Sequence, residues 1–229
     1  MADPDTVISA ESFEAALYAA GAAVNAARTV IAQPQGQALA LVRPPGHHAS
    51  RSHAMGFCLF NNIAIAARLL LRDHKIGRIA ILDFDVHHGN GTQDIFYDDP
   101  RVLTVSFHRH PFYPGTGRSD ETGASSAEGA NINVPLAYDT PATRYLDLWH
   151  DAMRDSVRPF EPEAILVSAG FDAYRYDPIG GLNFDVDDFR ILGELIREVA
   201  EETCDGRVAS VLEGGYDLDA LPHCLAAYL

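Results

Sequence analysis

Residues 78–91 limit the fold of this chain more than any other stretch. The run Arg78-Ile79-Ala80-Ile81-Leu82 is apolar at both alternations of an extended chain. It therefore reads as a strand buried on both faces, the kind found inside a parallel sheet. It passes directly into Asp83-Phe84-Asp85-Val86-His87-His88-Gly89-Asn90-Gly91. Side chains at i, i+2 and i+4 of a strand share a face, so Asp83, Asp85 and His87 are expected to point the same way. Carboxylate oxygen and imidazole nitrogen together suit a divalent metal such as zinc, and the carboxyl end of a strand in an α/β sheet is where ligands bind. A calcium loop is the rival reading of Asp83-x-Asp85-x-His87 with Asp94 further on. It fails because His88 stands where such a loop needs glycine, and because a strand rather than a helix precedes it. A purely structural turn is the remaining bland reading.

Composition narrows the function classes. At 229 residues and 47% hydrophobic content, the chain has enough material for one substantial core, and one domain over 1–229 is expected. A net charge of -15 with Lys75 as the single lysine argues against nucleic-acid binding through a basic surface and favours cationic partners, although a solvated acidic surface accounts for it equally well. Cys58, Cys204 and Cys224 are odd in number and have no paired spacing, which speaks against a disulfide framework or a thiolate zinc site and for a reducing compartment. The start Met1-Ala2-Asp3-Pro4-Asp5 is acidic where a secretory signal is basic, and no apolar stretch is read as reaching the roughly 18 residues that span a membrane. A cytoplasmic location with no membrane partner is the expectation.

Taken in order, Ser9 to about Ile31 reads as a helix packed on one side through Phe13, Leu17, Ala20 or Gly21, and Val24, with Ser9 or Ser12 as caps. Gln33-Pro34-Gln35-Gly36 breaks it, strand Ala38–Val42 follows, and Arg43-Pro44-Pro45-Gly46-His47-His48 ends that strand. A helix from Asn62 to Asp73 and the strand at 78–82 complete a β-α-β unit. A short helix at Thr92–Tyr97 leads to strand Val102–Ser106 and a long glycine- and proline-rich passage from Arg109 to Gly129, a length that marks a functional or disordered loop. Then come a short strand at Asn131–Leu136 and a helix at Pro141–Val157 with Tyr145, Leu148, Trp149 and Met153 on its apolar face. Strand Ala164–Ser168, helix Asp187–Thr203 and strand Val208–Leu212 finish the pattern. Strands alternating with helices predict a three-layer α/β fold, a mostly parallel sheet with helices on both faces.

In such a sheet four strand ends carry polar residues along one edge: His47 and His48, Asp83 to His88, Asp172, and Tyr216. Each has a dull explanation alone, as a turn, a cap or a packed ring, but their convergence points to one site. Asp85, His87 and Asp172 form a three-ligand zinc set with a position open for water and substrate. A neutral histidine beside that water would take its proton and pass it to a leaving amine, and Tyr216 would donate a hydrogen bond to the developing oxyanion. Asp83 and Asn90 are the expected partners of the two imidazoles. A carboxylate stabilises imidazolium while an amide only orients the ring, so the histidine paired with asparagine is the better general base.

These residues resemble the histone deacetylase family within the arginase and deacetylase fold, most of all its class II and bacterial amidohydrolase members. The resemblance rests on Arg43–Ala49, Gly56-Phe57-Cys58-Leu59-Phe60-Asn61-Asn62, Asp83–Gln93, Ser168–Ala173 and Glu213-Gly214-Gly215-Tyr216. It implies zinc held by Asp85, His87 and Asp172, His47 as electrostatic partner, His48 as general base and acid, and Tyr216 as carbonyl activator. It further implies an acyl-lysine tunnel walled by Phe57 and Tyr113, with the Gly56 carbonyl accepting the substrate amide hydrogen. A monovalent cation, potassium or sodium, is implied at Asp83 with Ser106 and the backbone oxygens of Asp85, His87 and Phe107. Ile179 stands where polyamine-selective relatives place a glutamate, which weakens an acetylpolyamine substrate against acetyl-lysine in a protein or peptide. The resemblance also implies that this chain lacks a segment its relatives carry before the first helix, and self-association is one way to cover an edge so exposed. The rivals are a binuclear arginase-like hydrolase, which needs further bridging carboxylates, and a non-catalytic acyl-lysine-binding protein.

Overall fold

A computed structural model describes residues 3–33, 35–74 and 76–229. Pro34, Lys75 and the first two residues of the acidic start lie outside them. Six strands, β1 (Gln37–Ala40), β2 (Ile79–Asp83), β3 (Val102–Arg109), β4 (Asn131–Leu136), β5 (Ala164–Ala169) and β6 (Val208–Leu212), form one sheet in the order β1-β6-β5-β2-β3-β4. Every pairing is parallel. The helices are α1 (Ser12–Ala32), α2 (Asn62–Asp73), α3 (Asn90–Phe96), α4 (Ala142–Ala152), a single turn α5 (Arg158–Phe160), α6 (Val186–Cys204) and α7 (Leu221–Tyr228).

The side-chain period of two sorts the sheet residues into two cores. Ile79 and Ile81 of β2 pack with Leu166 of β5 against α1, α2 and Phe96 of α3. Ala80 and Leu82 face the other way, with Val167 of β5, toward Trp149 of α4, Phe189 and Leu192 of α6 and Tyr228 of α7. Helices cover both faces of the sheet, which is the middle layer of a three-layer α/β fold. β2 and β5 are buried along their whole length, which is why their sequences lack polar alternation.

Several expectations need correcting. The buried face of α1 consists of alanines, among them Ala16, Ala19, Ala23 and Ala27, with Val30, whereas Phe13 is 63% exposed and Leu17 51%. Small side chains let α1 lie close on α2 and the sheet, and close approach outweighs burial of the larger residues. Neither Ser9 nor Ser12 caps α1: Glu11 is the N-cap, without a side-chain bond, and the Ser12 hydroxyl instead accepts from the Ser9 amide at 2.8 Å. By length and composition α1 is also apolar enough to cross a membrane, contrary to the reading of the sequence. Its alanine content accounts for that hydropathy, and its alanine face is packed inside the fold. The helix expected over Pro141–Val157 changes to a π-helical turn at Met153–Val157, and α7 was not foreseen.

Candidate active site

β2 stops at Asp83, so the residues beyond it reach their places through turns and not by continued strand alternation. The carboxylates do the turning: Asp83 Oδ1 accepts from the Asp85 amide at 3.1 Å, and Asp85 Oδ1 from the His87 amide at 2.9 Å. Each supplies an acceptor that the sheet no longer provides. Asp85 and His87 remain side by side, while Asp83 points elsewhere, to His47. Asp172, three residues past the end of β5, joins the first two by accepting from the Val86 amide at 2.9 Å.

His87 Nδ1 lies 3.0 Å from Asp85 Oδ1 and 3.1 Å from Asp172 Oδ2. One donor atom from each of Asp85, His87 and Asp172 lies within 4.8 Å of the other two, and all three residues are buried. Asp172 Oδ2 is buried and makes no hydrogen bond despite that short distance. Two close carboxylates set the electrostatics. Burial and the neighbouring Asp85 raise the Asp172 pKa. Burial alone would lower His87, yet Asp172 and Asp85 lift it to about 10. A site that holds a proton this firmly, with an orphan carboxylate oxygen, is one that a divalent cation would satisfy with the same three donors. Gly214 completes the cradle, because a Cβ there would run into the Asp172 and Asp85 carboxylates. The Gly214 amide donates to Asp85 Oδ2 at 2.8 Å.

The paired histidines have different partners. His47 Nδ1 sits 2.9 Å from Asp83 Oδ2, and His48 Nδ1 sits 2.8 Å from Asn90 Oδ1. An amide oxygen only accepts, so His48 Nδ1 carries the hydrogen and Nε2 of the neutral ring is left with its lone pair. Burial opposes charge on both rings. For His47 the negative Asp83 and Asp85 outweigh burial and raise the pKa well above the ordinary value. For His48 burial and the positive charge on His47 act together, and the pKa falls well below it.

The loops carrying the histidines, Tyr216 and Ile179 are held by residues whose roles the sequence did not disclose. Glu213, 1% exposed, accepts from the amides of Gly46 at 2.6 Å and His47 at 3.2 Å, and from the Ser168 hydroxyl at 3.0 Å. Asn61 caps α2 by accepting from the Ala64 amide, and its Nδ2 donates to the Ala49 carbonyl. Asp177 accepts from the Tyr216 and Asp217 amides with one oxygen, and from the Ile179 and Gly180 amides with the other. Glu213 belongs to the Glu213–Tyr216 motif, but two of its partners are backbone amides more than 160 positions away, which no side-chain pattern records.

A cavity of about 240 Å³ opens above the histidines, lined by Gly56, Phe57, Phe112, Tyr113, Ile179 and Tyr216. Phe112 is an addition to the expected walls, and its ring stacks on His87 at 5.0 Å. Gly56 and Phe57 both have left-handed backbone, φ 58° and 68°. A side chain on Gly56 would collide with the His48 ring, so only glycine fits there. The strained pair is tied down by Asp3 and Thr6, whose side chains accept from the Gly56 and Phe57 amides. Asp83 and Ser106 are register partners on β2 and β3, and the Ser106 hydroxyl lies 3.0 Å from His108 Nδ1. A larger groove of about 1000 Å³ runs past Arg51, Arg68 and Arg72, but none of the strand-end acids or histidines reaches it. The chemistry lies in the smaller cavity.

A buried cluster of two carboxylates and one histidine that could hold a metal ion thus lies beside a pair of buried histidines at the strand ends of a parallel sheet. The whole chain, residues 1–229, matches the Histone deacetylase domain family, and it belongs to that family. It is 43% identical over 222 residues to a probable deacetylase of Archaeoglobus fulgidus, covering 96% of this chain and 62% of that protein. It is 38% identical over 221 residues to the histone deacetylase-like amidohydrolase of Pseudomonas aeruginosa, covering 96% and 58%. Among solved structures, acetylpolyamine aminohydrolase from Burkholderia pseudomallei superimposes with a TM-score of 0.90 at 37% identity, covering 99% of this chain and 64% of that one. The chain thus spans about half to two thirds of the length of these relatives.

Proposed function

We propose that the chain is the catalytic domain of a zinc-dependent deacylase that hydrolyses the amide of N-acetyl-lysine, or a related acyl-lysine, in proteins or peptides and releases acetate. The observation that carries this reading is the split histidine pair, one ring on a carboxylate and the other on an amide, directly beside the three-donor cluster.

In this reading Asp85, His87 and Asp172 hold zinc, which when bound supplies Lewis acidity toward the scissile carbonyl and toward water. His48, held neutral and oriented by Asn90, takes the proton of the attacking water at Nε2 and returns it to the leaving lysine nitrogen. His47, kept positive by Asp83, stays protonated and stabilises negative charge in the transition state. Tyr216 donates its hydroxyl hydrogen to the oxyanion. Burial, then Asp85 and Asp172, push the Tyr216 pKa far upward, so the phenol keeps the hydrogen it must donate. Phe57, Phe112 and Tyr113 enclose the lysine methylenes and exclude water, and the Gly56 carbonyl accepts the substrate amide hydrogen. Asp83 and Ser106, with backbone oxygens of Asp85, His87 and Phe107, are assigned to a structural potassium or sodium ion. The buried thiols Cys58, Cys204 and Cys224 agree with a reducing compartment, taken here as the cytoplasm.

An acetylated polyamine is the second reading, favoured by the likeness to the Burkholderia acetylpolyamine aminohydrolase. The apolar Ile179 on the cavity wall counts against it, because it offers no charge to a second ammonium group. Catalytic efficiencies on acetyl-lysine peptides and on acetylspermidine decide between them. The acetyl-lysine peptide is expected to win, and a large preference for acetylspermidine would reverse the assignment.

A further inference from the structure

Arg109, the last residue of β3, is in no ion pair among the described residues, although acids outnumber bases in the chain 32 to 17. Its guanidinium instead lies over two rings, 4.0 Å from the centroid of Phe112 and 4.4 Å from that of Tyr138. The same group donates from Nη1 to the Gly180 carbonyl at 3.3 Å. These contacts belong to three loops: the exit of β3, the exit of β4, and the loop that follows Asp172. Two of the three carry cavity walls, Phe112 in the first and Ile179, next to Gly180, in the third. The base of the side chain is fixed as well, because the Arg109 amide donates to the Val86 carbonyl at 2.8 Å, inside the turn that carries Asp85 and His87.

We propose that Arg109 is a positioning residue that sets the bore of the tunnel by clamping its Phe112 wall to the Ile179 loop. The clamp itself follows from the geometry, and its consequence for substrate rests on the deacylase reading above. A guanidinium suits the task because it stacks flat on aromatic faces while keeping an N–H in its own plane for the carbonyl. Tyr138, 64% exposed, is the outer plate of that stack. With both walls held, the tunnel admits a slender unbranched chain such as the lysine methylenes and disfavours a branched one. Lysine at 109 would keep the charge and lose the flat stack, and methionine would keep the length and lose both charge and donor.

The test uses the zinc-loaded protein, as the native chain, Arg109→Lys and Arg109→Met. Hydrogen exchange of the Ile179, Gly180 and Gly181 amides is expected to quicken about tenfold or more in Arg109→Met and less in Arg109→Lys, while the β2 amides, which report an intact fold, stay as in the native protein. Affinity is then measured by calorimetry for two hydroxamates, one on a slim polymethylene linker and one on a branched linker. The native preference for the slim linker should shrink about tenfold in Arg109→Met, and on an acetyl-lysine peptide KM should rise with kcat within about threefold of native. Exchange at 179–181 within twofold of native, or an unchanged linker ratio, overturns the proposal. Neither readout needs turnover. A native protein that binds the hydroxamates and hydrolyses no acyl-lysine therefore overturns the deacylase reading, while the exchange and linker ratios still decide the clamp.

Discussion

His47 and His48 are neighbours in sequence, share burial, and have ring centroids 4.0 Å apart, yet their proton affinities move in opposite directions. The Asp83 carboxylate bonded to His47, and the positive charge that His47 then places beside His48, are what separate them, because desolvation acts on both alike. Two outcomes follow. His48→Ala should lower kcat by about 10²- to 10⁴-fold, the usual worth of a general base, with zinc content unchanged. Near-normal turnover with zinc bound would remove His48 from the mechanism. Asn90→Asp should place a carboxylate on His48, favour its protonated form, and move the acidic limb of the pH–rate profile to higher pH. A profile that stays in place would separate Asn90 from the proton affinity of His48. The partners Asp83 and Asn90 were legible in the sequence because, besides the Asp85 and His87 given to the metal, the motif carries one more acid and an amide close to the histidines. Glu213 and Asp177 were not, since each holds backbone amides of a distant segment, Gly46 and His47 for the first and Tyr216 and Asp217 for the second, and only the folded chain brings those to them.

Among the elements, the buried strands read most clearly, since continuous apolar runs leave a parallel sheet little choice of orientation. The bounds read less evenly: β1 ends at Ala40, short of the expected Val42, and β3 runs on to Arg109, past the expected Ser106, whereas β4 at the far edge spans the expected Asn131–Leu136. The buried face of α1 departs from expectation because close helix packing selects alanine there over the larger Phe13 and Leu17. Past the end of β2 the period of two fails and carboxylate-capped turns take over. β3 contributes a buried polar residue with its own pH signature. His108 lies between the Ser106 hydroxyl and the Gly117 carbonyl, 2.9 Å from Nε2, which suits a neutral ring donating at Nε2 and accepting at Nδ1. Burial and then His88 lower its pKa from 6.5 to about 3. Below pH 6.5 the unfolded chain takes up a proton that the folded chain refuses, so His108's contribution to stability is complete above that pH and declines as pH falls toward 3. Denaturant unfolding at several pH values should show this slope, and His108→Asn should flatten it. An identical slope in the variant would count against a neutral His108.

On the scale of the whole molecule, the chain carries a net charge of -15, which would favour a peptide substrate with basic residues beside the acetyl-lysine. Exposed charges attract through the solvent and salt screens them, so KM for an acetyl-lysine peptide flanked by arginines should rise on going from low to about 0.5 M salt. KM for a neutral acetyl-lysine peptide should hardly change, and equal salt responses would assign the acidity to solvation alone. The fold and the family were legible because five stretches around one sheet edge each carry chemistry. The substrate was not, because it depends on loops such as 109–117 and 177–181, whose spacing is set by contacts like that of Arg109 with Gly180. The central claim, that Asp85, His87 and Asp172 hold a metal that serves hydrolysis beside His48, is tested most directly by measuring zinc per chain together with acetyl-lysine peptide hydrolysis, with and without a hydroxamate. The account predicts about one catalytic zinc per chain and turnover that the hydroxamate abolishes. One zinc per chain with no turnover on any acyl-lysine or acylpolyamine would contradict it and leave a binding protein in its place.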